Sequence, residues 1–99
     1  MADFTFTDRL SWVAWRADWR ARYAEASQLI RAAKREAAEL HVARRGESEA
    51  GRRPIDYRIS SIQENLPYLR RAANTLMIER TEATAHKNEM LAEREQLAA

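Results

Sequence analysis

The sequence predicts an all-α fold, a long antiparallel helical hairpin of coiled-coil type, and three observations carry that expectation. Apolar residues recur in alternating steps of three and four through most of the chain, which is the period of a helix with one buried stripe. Glycine is limited to Gly46 and Gly51 and proline to Pro54 and Pro67, too few turn-formers for a many-stranded β fold. Three of those four residues, moreover, cluster between positions 46 and 54, leaving a long stretch on either side of one break.

Thr5, with Asp8 three residues on, matches a capping box, and Thr7 is an equal candidate for the N-cap, so the first helix is expected to span about residues 7–45. Its stripe is Trp12, Trp15, Trp19, Tyr23, Ala26, Ile30, Ala33, Ala37 and Leu40. The pattern stops where Gly46, Ser48, Gly51 and Pro54 interrupt a run of helix formers, and this is read as a loop of about residues 46–54. Pro54 suits the first turn of a second helix, where its missing N–H would be unpaired anyway.

That second helix, about residues 55–97, carries Ile55, Ile62, Leu69, Leu76, Ala83, Met90 and Leu97 at strict seven-residue spacing. A second column four residues later reads Ile59, Leu66, Ala73 and then Arg80, Lys87, Arg94, so the seam is wide early and narrow late. Pro67 should kink or break the helix, and a kink is favoured because the apolar stepping from Ile62 through Leu66 and Leu69 to Ala73 continues past it. Each helix would run roughly 55–65 Å at 1.5 Å per residue. Antiparallel packing would pair position i with about 100 minus i. Small Ala33 and Ala37 would then oppose Ile62, Leu66 and Leu69, and the tryptophans would oppose a segment containing Ala83 and Ala85.

With 99 residues, 45% hydrophobic and 32% charged, the chain fits a single domain over residues 1–99. Alanine forms helix well but buries little apolar area, so the core is thin. No cysteine is present, which excludes disulfides and thiolate metal sites and makes self-association or docking on a protein partner the expected supplement. No run approaches the roughly 18 apolar residues of a membrane span, and the first residues lack the basic and apolar regions of a signal peptide. The expectation is a soluble, cytoplasmic protein without a membrane partner. Its net charge is only +2, from 17 Lys+Arg against 15 Asp+Glu.

Trp12, Trp15, Trp19 and Tyr23 fall within about 80° of one helix face at 100° per residue. They read either as core near the hairpin's open end or as an aromatic anchor for a protein partner, with Trp15 the indole expected to be exposed. Arg80, Lys87 and Arg94 either lay their stems over these rings or mark where the second helix continues alone. On the first helix Arg9, Arg16, Arg20, Arg31, Lys34 and Arg35 lie on one side of the stripe, whereas Asp18, Glu25 and Glu36 lie on the other. That basic flank is either a solvated coiled-coil edge or an RNA- or DNA-binding surface. Arg44, Arg45, Arg52 and Arg53 bracket the loop, with Glu47 and Glu49 between them.

Catalysis finds little support. His41 and His86 are the only histidines, and neither belongs to a Glu-x-x-His pair, since positions 38 and 83 are alanine. Glu82 and Glu89 on the turns beside His86 would be the one conceivable metal set. Ser27, Ser60 and Ser61 lack a His–acid arrangement, and no phosphate-cradling loop exists. A non-enzymatic protein with no cofactor and no metal is therefore expected.

The run Trp12-x-x-Trp15-x-x-x-Trp19-x-x-x-Tyr23, followed by Ile30-Arg31-Ala32-Ala33-Lys34-Arg35, resembles in style the small helical accessory proteins carried by phages and mobile elements. That likeness covers about a third of the chain. It implies an accessory protein that binds a host or viral protein, including inhibitors of host defence nucleases such as anti-CRISPR proteins.

Overall fold

The structure, a computed structural model, describes Phe4 and residues 6–98. It contains two helices, α1 (Arg9–Arg45) and α2 (Glu49–Ala98), joined as a helical hairpin, and no strand occurs among the described residues. No helix there is long and apolar enough to cross a membrane.

α1 begins on a reciprocal cap. The Asp8 carboxylate accepts the Ser11 backbone N–H at 2.8 Å, and the Ser11 hydroxyl oxygen accepts the backbone N–H groups of Asp8 and Thr7 at 3.1 and 2.9 Å. Asp8 is thus the N-cap and Ser11 its partner, in place of Thr7, because a carboxylate at this position reaches the free amide three residues on. Thr5, the other candidate, lies outside the described residues.

The connection is shorter than its sequence suggests. α1 closes with the N–H groups of Gly46 and Glu47 donating to the carbonyls of Ala43 and Arg44, at 3.2 and 3.3 Å. Ser48 then caps α2, its hydroxyl accepting the Gly51 N–H at 3.3 Å and its carbonyl the Arg52 N–H at 2.9 Å. Only Gly46, Glu47 and Ser48 lie between the helices, so the expected loop of 46–54 is corrected to 46–48. Pro54 sits inside α2, beyond the first turn, because the serine cap and an acidic Glu49 start the helix earlier. Pro67 is also inside α2, which passes through it without a break.

The chain divides into two compact units, one combining Met1–Ala24 with Asn74–Ala99 and the other formed by Glu25–Ala73. In the second unit the seam is built on Ile59 and Ile62, both buried, with Ile30, Ala33, Ala37, Leu40, Leu66 and Leu69 half-buried around them. Two ion pairs across the seam mark its antiparallel register. Arg58 donates from Nε and Nη2 to the two Glu36 carboxylate oxygens at 2.7 and 2.9 Å, and Arg44 donates from Nε to Asp56 at 2.6 Å.

Among the described residues of the first unit the buried side chains are Phe6, Trp19 and Ala83. Ala83 has no exposed surface because the bulk across the seam is aromatic, and a small residue is what such bulk admits. Trp19 meets Leu76 and Arg22 meets Glu79, so here too residues find partners near position 100 minus their own. Ala85, by contrast, is exposed and outside the seam.

Candidate partner-binding surfaces

Trp19 is the best-held of the tryptophans. It is buried, its indole N–H donates to the Leu76 carbonyl oxygen at 2.7 Å, and its ring stacks on Tyr23 with centroids 5.0 Å apart. The Arg80 guanidinium lies 4.9 Å from its ring centroid. One and two turns nearer the N-terminus, Trp15 and Trp12 stack on each other at 5.5 Å, and the Lys87 ammonium lies 5.1 Å from the Trp12 centroid. Arg80 and Lys87 of the second seam column therefore cover the rings, as a ring quadrupole and an aliphatic stem both favour.

Trp12, Trp15 and Tyr23 are half-buried, and no indole is fully open to solvent. Trp15 in particular touches Phe4 and Phe6, at centroid distances of 5.7 and 5.8 Å. What remains outward of this set is the uncovered part of Trp12 and Trp15, while Trp19 and Tyr23 tie the helices together.

Phe4 and Phe6 were not singled out by the sequence reading. Phe6 is the largest fully buried side chain among the described residues and packs edge-on to Trp12 at 5.2 Å and to His86 at 5.0 Å. The signal available was a hydrophobic residue just ahead of the N-cap, which packs back on the fourth helical residue, here Trp12. Phe6 does so from one position further out than usual. His86 thereby becomes a ring among rings; Phe6, Thr7, His86, Glu89, Met90 and Glu93 line a cavity of about 240 Å³ beside it. Among the described residues no group of three His, Cys, Asp or Glu could hold a metal ion, so the His86, Glu82 and Glu89 set does not assemble into one.

The basic flank stays in water. Arg9, Arg16 and Arg20 of the first unit, and Arg31, Lys34 and Arg35 of the second, are all exposed. At the loop the arginines are partly used up: Arg44 holds Asp56, and Arg52 donates from Nε to the Arg44 carbonyl at 3.1 Å, satisfying an end of α1. Hydrogen bonding and charge from these partners raise the pKa of Arg44 and Arg58 above the ordinary guanidinium value. The Arg58 hydrogen bonds hold the Glu36 carboxyl below its ordinary value, and hydrogen bonds from Ser11 do the same for Asp8.

A shallow groove of about 420 Å³ in the second unit runs past the Glu36–Arg58 pair and is lined also by Ser61, Asn65 and Tyr68. Its polar groups are the Glu36–Arg58 ion pair, the Ser61 and Tyr68 hydroxyls, the Asn65 amide and the Glu64 carboxylate. Large apolar side chains instead lie outside the seam. Tyr57 is 79% exposed and Tyr68 65%, and eleven residues, three helical turns, place them on one side of α2. Leu10 is 82% exposed on α1. No known protein family, curated protein or solved structure matches the chain.

Proposed function

We propose that the chain is a non-enzymatic protein-binding module, a helical hairpin that presents apolar and aromatic side chains to a protein partner. The observation that supports this reading is the distribution of its apolar bulk. Among the described residues five hydrophobic side chains are buried, whereas Leu10, Tyr57, Tyr68 and Ile78 are each more than half exposed. Tyrosine and tryptophan carry much of the energy of protein interfaces, because a rigid ring buries large area at small entropic cost. In this reading Trp19 and Tyr23 serve as the frame, and Trp12 and Trp15 offer their uncovered edges. The resemblance to phage and mobile-element accessory proteins extends it to an inhibitor that acts by occupying a host protein.

A nucleic-acid reading is favoured by one feature, the six exposed cations of the basic flank of α1 (Arg9, Arg16, Arg20, Arg31, Lys34 and Arg35), none of which makes an ion pair among the described residues. Retention experiments separate the two. Immobilised chain should retain a protein in stoichiometric amount from the source cell, and the Tyr57→Ser/Tyr68→Ser or Trp15→Ala variants should retain at least about tenfold less while keeping their helicity. Retention of RNA or DNA instead, falling steeply with salt and lost in Arg16→Ala/Arg20→Ala, would replace this reading with the second.

A further inference from the structure

α1 has a second apolar face, turned away from the seam. Leu10, Ala14, Ala17, Ala21 and Ala24 recur in steps of four and three, the spacing of a coiled-coil seam, and all five are exposed. Val13, 55% exposed, borders them. Along this face Ala14 and Ala21 take the a positions and Leu10, Ala17 and Ala24 the d positions. Arg20 then falls at g, and Asp18 and Glu25 fall at e.

The flanking charges are what identify the occupant. Among the described residues neither Arg20 nor Glu25 makes an ion pair or a side-chain hydrogen bond, although Asp18 pairs with Arg22 at 3.1 Å and Glu36 with Arg58 at 2.7 Å. In two parallel helices a g residue meets the e residue five positions on in the other strand, and such pairs set partner choice and orientation. Arg20 and Glu25 are five positions apart. An antiparallel pair would set g against g and e against e, bringing arginine to arginine and carboxylate to carboxylate. The pattern is complementary to itself, and only in the parallel sense.

We infer that the outer face of α1 packs against the same face of a second copy, helices parallel, with Arg20 of each copy against Glu25 of the other. This rests on the protein-binding reading and names one of its partners. Alanine at a and d lets the two backbones approach closely, and Leu10 supplies the bulk at one end. Four turns of helix make a small interface, at the weak and reversible end of the range for protein pairs.

The test is sedimentation over a concentration series at low salt, on the intact chain and on charge variants that touch no seam residue. Arg20→Glu and Glu25→Lys should each weaken self-association at least about fivefold, and the Arg20→Glu/Glu25→Lys double variant should restore it. Mixing the two single variants should give a mixed pair tighter than either alone, since each copy then offers what the other lacks. Because the chain has no cysteine, Leu10→Cys reports orientation: oxidation should link Leu10→Cys to itself in the parallel pair. A chain that stays monomeric at millimolar concentration overturns the second copy as occupant, and so does association indifferent to both charge reversals. Retention of a protein partner by the Tyr57 and Tyr68 face is read separately, so either result can fail without the other.

Discussion

The indole N–H of Trp19 donates to the Leu76 carbonyl oxygen at 2.7 Å, fifty-seven residues further along the chain. That carbonyl belongs to the α2 ladder, and its second lone pair is free to accept a side-chain donor. The bond thus joins the helices without opening either of them. Trp19→Phe should cost about 1–2 kcal/mol in denaturant melts, the worth of one hydrogen bond plus some lost area. Trp19→Ala should cost about 3–5 kcal/mol. Equal melting of the parent and Trp19→Phe would show that the bond contributes nothing.

Phe6 is expected to behave as a core residue although it lies outside both helices. Phe6→Ala removes the side chain that packs on Trp12, Trp15 and His86, and a loss of about 3 kcal/mol is expected. Tryptophan emission should shift to the red in the same variant as Trp12 and Trp15 gain solvent. A parent-like spectrum and melt would place Phe6 elsewhere.

Pro67 carries no N–H, so the Gln63 carbonyl lacks its helical donor in the middle of α2. Its side chain is exposed, and nothing packed is lost by replacing it. Pro67→Ala should raise stability, by up to about 3 kcal/mol. An unchanged or lower midpoint would mean that the proline conformation is itself used.

Acid should weaken the fold through two carboxylates. Hydrogen bonds from Ser11 lower the Asp8 pKa and those from Arg58 lower that of Glu36, so each is depressed in the folded state. A depressed carboxyl contributes stability that is present above its unfolded value and lost as pH falls through the folded one, here from about pH 4 downward. The difference in midpoint between the parent and an Asp8→Asn/Glu36→Gln variant should therefore be largest near neutrality and shrink at about pH 3. A constant difference across that range would rule out ionisation as its source.

The hairpin was legible because its period is unbroken. Every residue of the first stripe from Trp12 to Leu40 is buried or half-buried, as is every member of the strict seven-residue column from Ile55 to Met90. Leu97 is the exception: it lies 88% exposed, near the end of α2. The change to Arg80 and Lys87 in the second column left two readings open, and only the packing decides between them, with stems over indoles in the space that leucines fill nearer the loop. What could not be read was local competition between signals. Gly51 and Pro54 argue for loop and Ser48–Glu49 for a helix start, and the serine cap won. Phe4 and Phe6 sit where periodicity has not begun, so their packing depends on where the N-cap directs the chain.

The three-residue connection at Gly46–Ser48 also sets an order of events in folding. Contacts beside it close short spans of chain, twelve residues for Arg44–Asp56 and twenty-two for Glu36–Arg58, whereas Trp19–Arg80 and Trp12–Lys87 contacts close most of the sequence. Loop-closure entropy grows with span, so pairing that starts at the turn turns every later contact into a short closure. Pulse-labelled amides around Leu40 and Ile59 should accordingly gain protection during refolding before those around Trp19 and Leu76. The aromatic end would then be the last part to form and the first to open, which leaves its rings within reach of other chains for as long as the polypeptide is only partly zipped.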